Sequence, residues 1–368
     1  MKKTISVLVA VLILFCPIHM TAQINAEAYV LIDTGSGKVL SSKNEKERHE
    51  PASTTKILTA LVALENASLD SMFTVSEKAA AVEGSGIGIE AGEKISLEDL
   101  LYMLLLKSGN DAAVTIAENI AGSEKDFAEM MNRRAAEIGC KNSHFANPHG
   151  LHDDEHYTTA YDLALIAAEA LRNETFAKIV STKEKTLSYK KLTIRNSNKL
   201  LEDEIFTGVK TGFTKAAGRC LVSSAKKDGV TLVCVTMKDP DDWRDHKEIM
   251  SEGLSRVSSF VLYKTGEFAE KIPLLGGETD GIYTNVEEIT GSIIDGKKCE
   301  YTVVPRLYPV MFAPAEKYSS GGYLEIKCGD FLVGKIPLCL SKTVETSEEL
   351  GGFELFSYNL RKLLKTLL

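Results

Sequence analysis

A chain of 368 residues with 44% hydrophobic content holds enough apolar material for a sizeable core, and its length fits two domains. A formal net charge of -8 lacks the basic balance of a nucleic-acid binder, so no nucleic-acid partner is expected. Of seven cysteines, Cys16 falls in the N-terminal apolar run; Cys140, Cys220, Cys234, Cys299, Cys328 and Cys339 are too sparse for a disulfide scaffold and contain no Cys-x-x-Cys zinc pair.

Met1-Lys2-Lys3 followed by the apolar run Ile5 to Phe15 has the charged start and short apolar middle of a secretory signal peptide, ending near residue 24. The run is too short to read first as a membrane span. The residues before Cys16 are not the small ones that precede a lipidated cysteine. Export is therefore expected, to the outer face of the cytoplasmic membrane or beyond. Ala28 to Asp33, a glycine turn at Thr34 to Lys38, and Val39 to Ser42 read as a strand, a turn and a second strand.

Pro51-Ala52-Ser53-Thr54-Thr55-Lys56 runs into Ile57 to Leu64, where Leu58, Leu61 and Val62 recur at helical spacing, so a buried helix is expected to begin at Ser53. Residues three apart share a helix face, so the Lys56 amine can reach the Ser53 hydroxyl. A desolvated lysine can act as base for a serine nucleophile, and a helix N-terminus offers N–H groups to an oxyanion. Alone, Ser-x-x-Lys reads equally well as a capping serine with a solvated lysine.

Gly84-Ser85-Gly86-Ile87-Gly88 precedes no P-loop lysine and reads as a turn. Ser96-Leu97-Glu98-Asp99 is a capping box for a helix from Leu100 to Leu106 that is apolar all round and hence buried. That helix delivers Ser108-Gly109-Asn110, a hydroxyl and a carboxamide that a glycine turn can aim into one cleft; an ordinary turn is the alternative.

Asn147 to His156 gathers His149, His152 and His156 with Asp153, Asp154 and Glu155, yet Pro148 and Gly150 mark a loop, so a cleft-lining loop is expected and no metal site. A helix is expected from Tyr157 to about Arg172. Glu169 and Asn173 have a spacing that some serine hydrolases use for a deacylating water, but at a helix end Glu169 reads as a surface carboxylate. Glu204 to Thr214, Cys220 to Ala225 and Val230 to Val235 are strands, the last two turning at Asp228-Gly229. On the first of these, Lys210 and the Thr211 hydroxyl can hold a carboxylate and Gly212 admits a substrate backbone. The Phe213 N–H can there share an oxyanion hole with the Ser53 N–H.

Ser-x-x-Lys, Ser-x-Asn and Lys-Thr-Gly in this order form the signature of penicillin-interacting serine enzymes. With Glu90-Ala91-Gly92-Glu93-Lys94, Ser108 to Ala113, Asn147 to Leu151, Tyr157 to Ala160 and Val209 to Gly212, the chain closely resembles the serine D-alanyl-D-alanine carboxypeptidases, the low-molecular-mass penicillin-binding proteins. The resemblance implies an α/β (α+β) catalytic domain of the serine β-lactamase/D,D-peptidase type at residues 25–271. It also implies that Ser53 attacks the peptide bond between the terminal D-alanines of peptidoglycan stem pentapeptides, with Lys56 as base. Ser108 would relay the proton, Asn110 would position the acyl chain, and Lys210 with Thr211 would hold the terminal carboxylate, with Arg244 as a further contact. β-Lactams would be covalent inhibitors, and no cofactor is implied. A β-lactamase and a non-catalytic wall-binding scaffold are the rival readings.

From about residue 272 to 350, glycine and proline turns separate short alternating stretches such as Tyr301 to Val304, Tyr323 to Ile326 and Phe331 to Ile336, a small β domain. The tail from 353 to 368 puts Phe356, Leu360, Leu363, Leu364 and Leu367 on one helical face beside Arg361, Lys362 and Lys365. Such a helix fits a membrane surface, or docks on protein.

Overall fold

The computed structural model describes residues 23–347, 357 and 359–361. The signal segment at 1–22 and most of the tail helix expected at 353–368 lie outside the described residues.

The chain opens with β1 (Ala28–Asp33) and β2 (Val39–Lys43), paired antiparallel around the expected glycine turn. A single 3-10 turn, Ala52–Thr55, leads into α1 (Lys56–Asn66). The α-helix proper thus begins at Lys56, one turn later than the sequence suggests, and Ser53 sits in the tighter turn before it. A short ribbon of β3 (Met72–Thr74) and β4 (Lys94–Ser96) brackets α2 (Glu77–Ala81).

Next come α3 (Leu97–Leu106), α4 (Asn110–Ala121), α5 (Glu124–Ile138), α6 (Ala160–Leu171) and α7 (Glu174–Ser181). Their boundaries follow local chemistry. Ser96, Ser123, Thr159 and Asn173 each accept a backbone N–H in the first turn of the helix they cap. Asp99 does not complete the capping box expected at α3. Its carboxylate instead takes the N–H groups of Ser188 and Tyr189, at 3.1 and 2.7 Å.

After the small hairpin of β5 (Glu184–Thr186) and β6 (Thr193–Arg195), three long strands follow: β7 (Phe206–Thr214), β8 (Gly218–Lys227) and β9 (Val230–Met237). They join the first hairpin in an antiparallel sheet of order β2-β1-β9-β8-β7, which leaves β7 at one edge. Helix α8 (Asp242–Arg256) packs on one face and α1 with α6 on the other. Alternation along the strands sorts the two cores. Ala28, Val30 and Ile32 of β1 and Val233, Val235 and Met237 of β9 face α1 and α6; Leu31, Leu232 and Cys234 face α8. With both faces covered, the inner strands read as continuous apolar runs.

From Val257 to Ser347 the chain holds only strands and turns. Val257–Tyr263 pairs with Ile289–Ile294, and five strands from Ala269–Ile272 to Phe331–Leu340 form a second sheet around Tyr283, Leu324, Ile326, Leu338 and Leu340. The expected stretches at 301, 323 and 331 lie within or overlap the strands Thr302–Leu307, Ser320–Cys328 and Phe331–Leu340. Among the described residues no helix is long and apolar enough to cross a membrane.

Candidate active site

The site lies where the 3-10 turn, the start of α4, the 147–151 loop and the edge strand β7 converge. Lys56, the first residue of α1, is fully buried, and its Nζ lies 3.0 Å from Ser53 Oγ. Its two other polar neighbours are Asn110 Oδ1 at 2.7 Å and the His149 carbonyl at 2.6 Å. Neither of these can donate. Asn110 Nδ2 gives its hydrogen to the Glu83 carbonyl at 2.6 Å, which fixes the amide oxygen toward Lys56. A free-base amine has two N–H bonds and one lone pair. Asn110 and His149 take the two hydrogens, and the lone pair is left for the Ser53 hydroxyl proton. Burial, then the nearby Lys210 charge, push the Lys56 ammonium well below the usual lysine range, so this free-base form is accessible.

Asp111, next to Asn110, is a residue whose role sequence reasoning did not assign. Its Oδ2 accepts the N–H groups of Ile87, Gly88 and Ile89, and the Ser85 carbonyl accepts the Asn110 N–H at 2.7 Å. The glycine-rich stretch read as a plain turn is therefore folded onto the start of α4. The negative Asp111 also favours a charged Lys56, opposing Lys210. An aspartate in a helix first turn is ordinary chemistry, and nothing local announces a partner loop so far back in the chain.

Ser108 sits at φ +63, in the left-handed region, and its buried Oγ has no hydrogen-bond partner among the described residues. Lys210, on β7, is buried, and its Nζ donates to the Thr211 carbonyl at 2.7 Å. No carboxylate pairs with it among the described residues, and burial lowers its pKa to about 7. Gly212 lies against the nucleophile turn. A Cβ there would fall 3.1 Å from the N atoms of Ser53 and Thr54. Phe213 is exposed at the sheet edge, opposite Arg219 of β8.

The histidine loop supports the site from below. His149 lends its carbonyl to Lys56; its Nδ1 accepts the Leu151 N–H, so its ring proton points from Nε2 to Glu124 at 3.1 Å. That hydrogen bond, with Lys78 beside it, holds the Glu124 carboxyl at about 2 despite partial burial. His156 Nδ1 accepts the Ala146 N–H, so its Nε2–H donates to Thr55 Oγ1 at 2.8 Å. His152 points outward to Glu50. Gly150 runs at φ +84 under the turn, where a Cβ would fall 1.9 Å from the Ala52 carbonyl oxygen.

Two further residues singled out in the sequence are held in ion pairs. Glu169 pairs with Arg134 at 2.6 Å and with Arg172, in keeping with the surface-carboxylate reading. Arg244 is engaged by Asp241 at 3.0 Å, Asp245 at 2.7 Å and the Gln23 carbonyl at 3.3 Å. On the same side, Arg219 pairs with Asp242 at 2.6 Å and stacks on Trp243, and its strand register gives it the same face as Thr211 and Phe213. A separate cavity of about 900 Å³ lies between α5, α6 and the hairpin at Phe331, and none of Ser53, Lys56, Ser108 or Lys210 lines it.

A buried lysine amine facing a serine hydroxyl, beside a second buried lysine on an edge strand, defines a serine acyl-transfer enzyme. Residues 17–241 match the model of the D-alanyl-D-alanine carboxypeptidase family, and the chain belongs to that family. It is 36% identical to D-alanyl-D-alanine carboxypeptidase DacF of Bacillus subtilis over 72% of this chain and 71% of the relative. It is 35% identical to DacD of Salmonella typhimurium, covering 87% of each. Among solved structures, penicillin-binding protein 5 from Haemophilus influenzae covers 88% of this chain and 98% of its own at a TM-score of 0.64 and 29% identity. Penicillin-binding protein 6B from Escherichia coli covers 86% and 95% at 0.63 and 27%. The chain is a serine carboxypeptidase with the mixed α/β fold of those proteins and a C-terminal all-β portion.

Proposed function

We propose that the protein removes the terminal D-alanine from peptidoglycan stem pentapeptides through an acyl-enzyme on Ser53. The observation that carries this reading is the Lys56 amine, buried and 3.0 Å from Ser53 Oγ with only acceptors on its other sides. Lys56 takes the Ser53 proton as Oγ attacks the carbonyl between the two D-alanines. The oxyanion is received by the Ser53 and Phe213 N–H groups, in a gap that Gly212 keeps open. Ser108, whose hydroxyl is uncommitted, passes the proton to the departing D-alanine amine. Water then attacks the ester and frees the shortened peptide. Lys210 and Thr211 hold the substrate carboxylate. A buried ammonium with no anionic partner of its own favours that role, because an arriving carboxylate restores its charge balance. Asn110 orients Lys56 and flanks the acyl chain. Arg244 is a further proposed contact to the carboxylate, with Arg219 as the other candidate on that face.

The same reading makes the protein exported, with residues 1–24 as signal peptide, 25–271 as the catalytic unit and 272–350 as the β unit. The strand Val257–Tyr263 reaches across that last boundary to pair with Ile289–Ile294. The basic amphipathic tail at 353–368 holds the enzyme at the membrane surface. β-Lactams acylate Ser53 and leave slowly; Glu169, spent on Arg134 and Arg172, supports no β-lactamase-type deacylation.

The test is D-alanine release from a synthetic stem pentapeptide by the purified enzyme. Release of one D-alanine per peptide, abolished in Ser53→Ala, supports the reading; intact pentapeptide after prolonged incubation with wild type refutes it. Deleting residues 353–368 is expected to move the protein to the soluble fraction with the peptidase activity kept.

A further inference from the structure

We propose that Cys299 and Cys328 form a disulfide that ties together the two β-unit segments gripping the Thr34–Lys38 turn of the catalytic unit. Cys328 closes the strand Ser320–Cys328, and its thiol is in hydrogen-bonding contact with that of Cys299. Both thiols are free in the structure. The ladder brings their segments together: Thr302, three residues after Cys299, stands opposite Lys327, the neighbour of Cys328.

No other cysteine is placed to compete. Cys220 and Cys234 belong to opposite faces of the central sheet, and the Cys140 thiol donates to the Asp162 carbonyl. Cys339 pairs with Ser320 at the far end of the hairpin from the Cys328–Phe331 pair, on the order of 27 Å along the strand. A disulfide needs Cα atoms within about 7 Å.

Both segments touch the same turn. On the Cys299 side, the Tyr301 hydroxyl donates to the Gly35 carbonyl at 2.9 Å while accepting the Ser292 N–H at 2.7 Å. On the Cys328 side, the Phe331 ring lies against Gly37 and under the Arg172 guanidinium, 5.5 Å from its centroid. A bond between the two cysteines would close this grip covalently.

The chemistry needs a disulfide oxidant, the class of reagent found outside the cytoplasm, but the pairing rests on geometry and not on export. Cys328, more exposed than Cys299, first exchanges with the oxidant, forming a mixed disulfide and releasing one thiol. The Cys299 thiolate then attacks Cys328 Sγ and releases the second thiol. Two protons and two electrons leave the protein, and the oxidant ends as two thiols. Burial raises the Cys328 thiol above its usual range, so the exchange quickens with rising pH.

The experiment is to reduce the purified full chain and treat it with oxidised glutathione at mildly alkaline pH, followed by intact mass and peptide mapping. The expected result is loss of about 2 Da and one peptide pair joined through Cys299 and Cys328. Cys299→Ser should leave a glutathione adduct on Cys328, and Cys339→Ser should behave as wild type. Wild type that keeps all its thiols, retains a glutathione adduct, or links Cys339 would overturn the pairing. Oxidised protein should also resist limited proteolysis between residues 256 and 300 several-fold better than reduced protein. Equal cleavage would overturn the clamping role.

Discussion

Lys56 and Lys210 are both fully buried, and among the described residues no salt bridge joins either to a carboxylate. Burial disfavours the charge on each, and the Lys210 charge further disfavours that on Lys56. Only one of them faces the nucleophile. The division of labour is geometric: Lys56 contacts Ser53 Oγ, and Lys210 sits on the edge strand where substrate enters.

Lys56→Arg separates basicity from charge. The guanidinium can donate to Asn110 and the His149 carbonyl but does not release a proton in a protein. Acylation of Ser53 is expected to slow by about 10²–10⁴-fold. The check is stopped-flow acylation by a chromogenic β-lactam; a rate within about tenfold of wild type would remove Lys56 as base.

Lys210 titrates near 7 in the free enzyme because burial disfavours its charge. Its charged form is present below that pH and lost above it, so carboxylate capture should weaken on the alkaline side. The kcat/KM profile for a D-alanyl-D-alanine peptide should show that limb, and Lys210→Arg should move it upward by more than a pH unit. A limb that stays in place belongs to another group.

Much of this site was legible because its residues come in short fixed spacings. Ser53 with Lys56, Ser108 with Asn110, and Lys210 with Gly212 are each only two or three residues apart, on a helical turn, a loop and a strand, so local rules suffice to place them. The contacts between them were not legible. The His149 carbonyl reaches Lys56 only because the 147–151 loop passes under the nucleophile turn, and the Glu83 to Ile89 loop reaches Asn110 and Asp111 through backbone atoms that any sequence would offer. The helix start at Lys56 was displaced for a related reason: Ala52, at φ +47, bends the chain into a 3-10 turn that no propensity favours. The strands were legible because both faces of the central sheet are apolar, and the Ser96 cap because its chemistry is local.

Gly150→Ala should act on the nucleophile from underneath. Its Cβ would meet the Ala52 carbonyl in a left-handed backbone position, so the turn must shift or the loop must move. A stability loss of about 1–3 kcal/mol is expected, with slower acylation. Urea unfolding and acylation kinetics of the variant check both; wild-type values in each would show that the loop does not support Ser53.

His156 and His246 are buried in neutral networks, and burial lowers each to about 3. His246 bridges Ser223 Oγ and Thr236 Oγ1, at 2.6 and 3.0 Å. Below pH 6.5 the unfolded chain takes up these protons and the folded chain does not, so stability is complete above 6.5 and falls as pH drops. The slope is about 1.4 kcal/mol per pH unit for each histidine. The two together give a slope that grows from about half its limit at pH 6.5 toward roughly 3 kcal/mol per unit near pH 5, and His246→Asn should halve it. A flat urea-unfolding free energy over that window would mean that neither ring is excluded from protonation.

The most direct measurement is the intact mass of the purified enzyme after exposure to benzylpenicillin, with Ser53→Ala alongside. The account predicts one penicilloyl adduct per wild-type molecule, mapped to the peptide carrying Ser53, and none in the variant. An adduct that persists in Ser53→Ala, or its absence from both proteins, would contradict the assignment of Ser53 as the nucleophile that Lys56 activates.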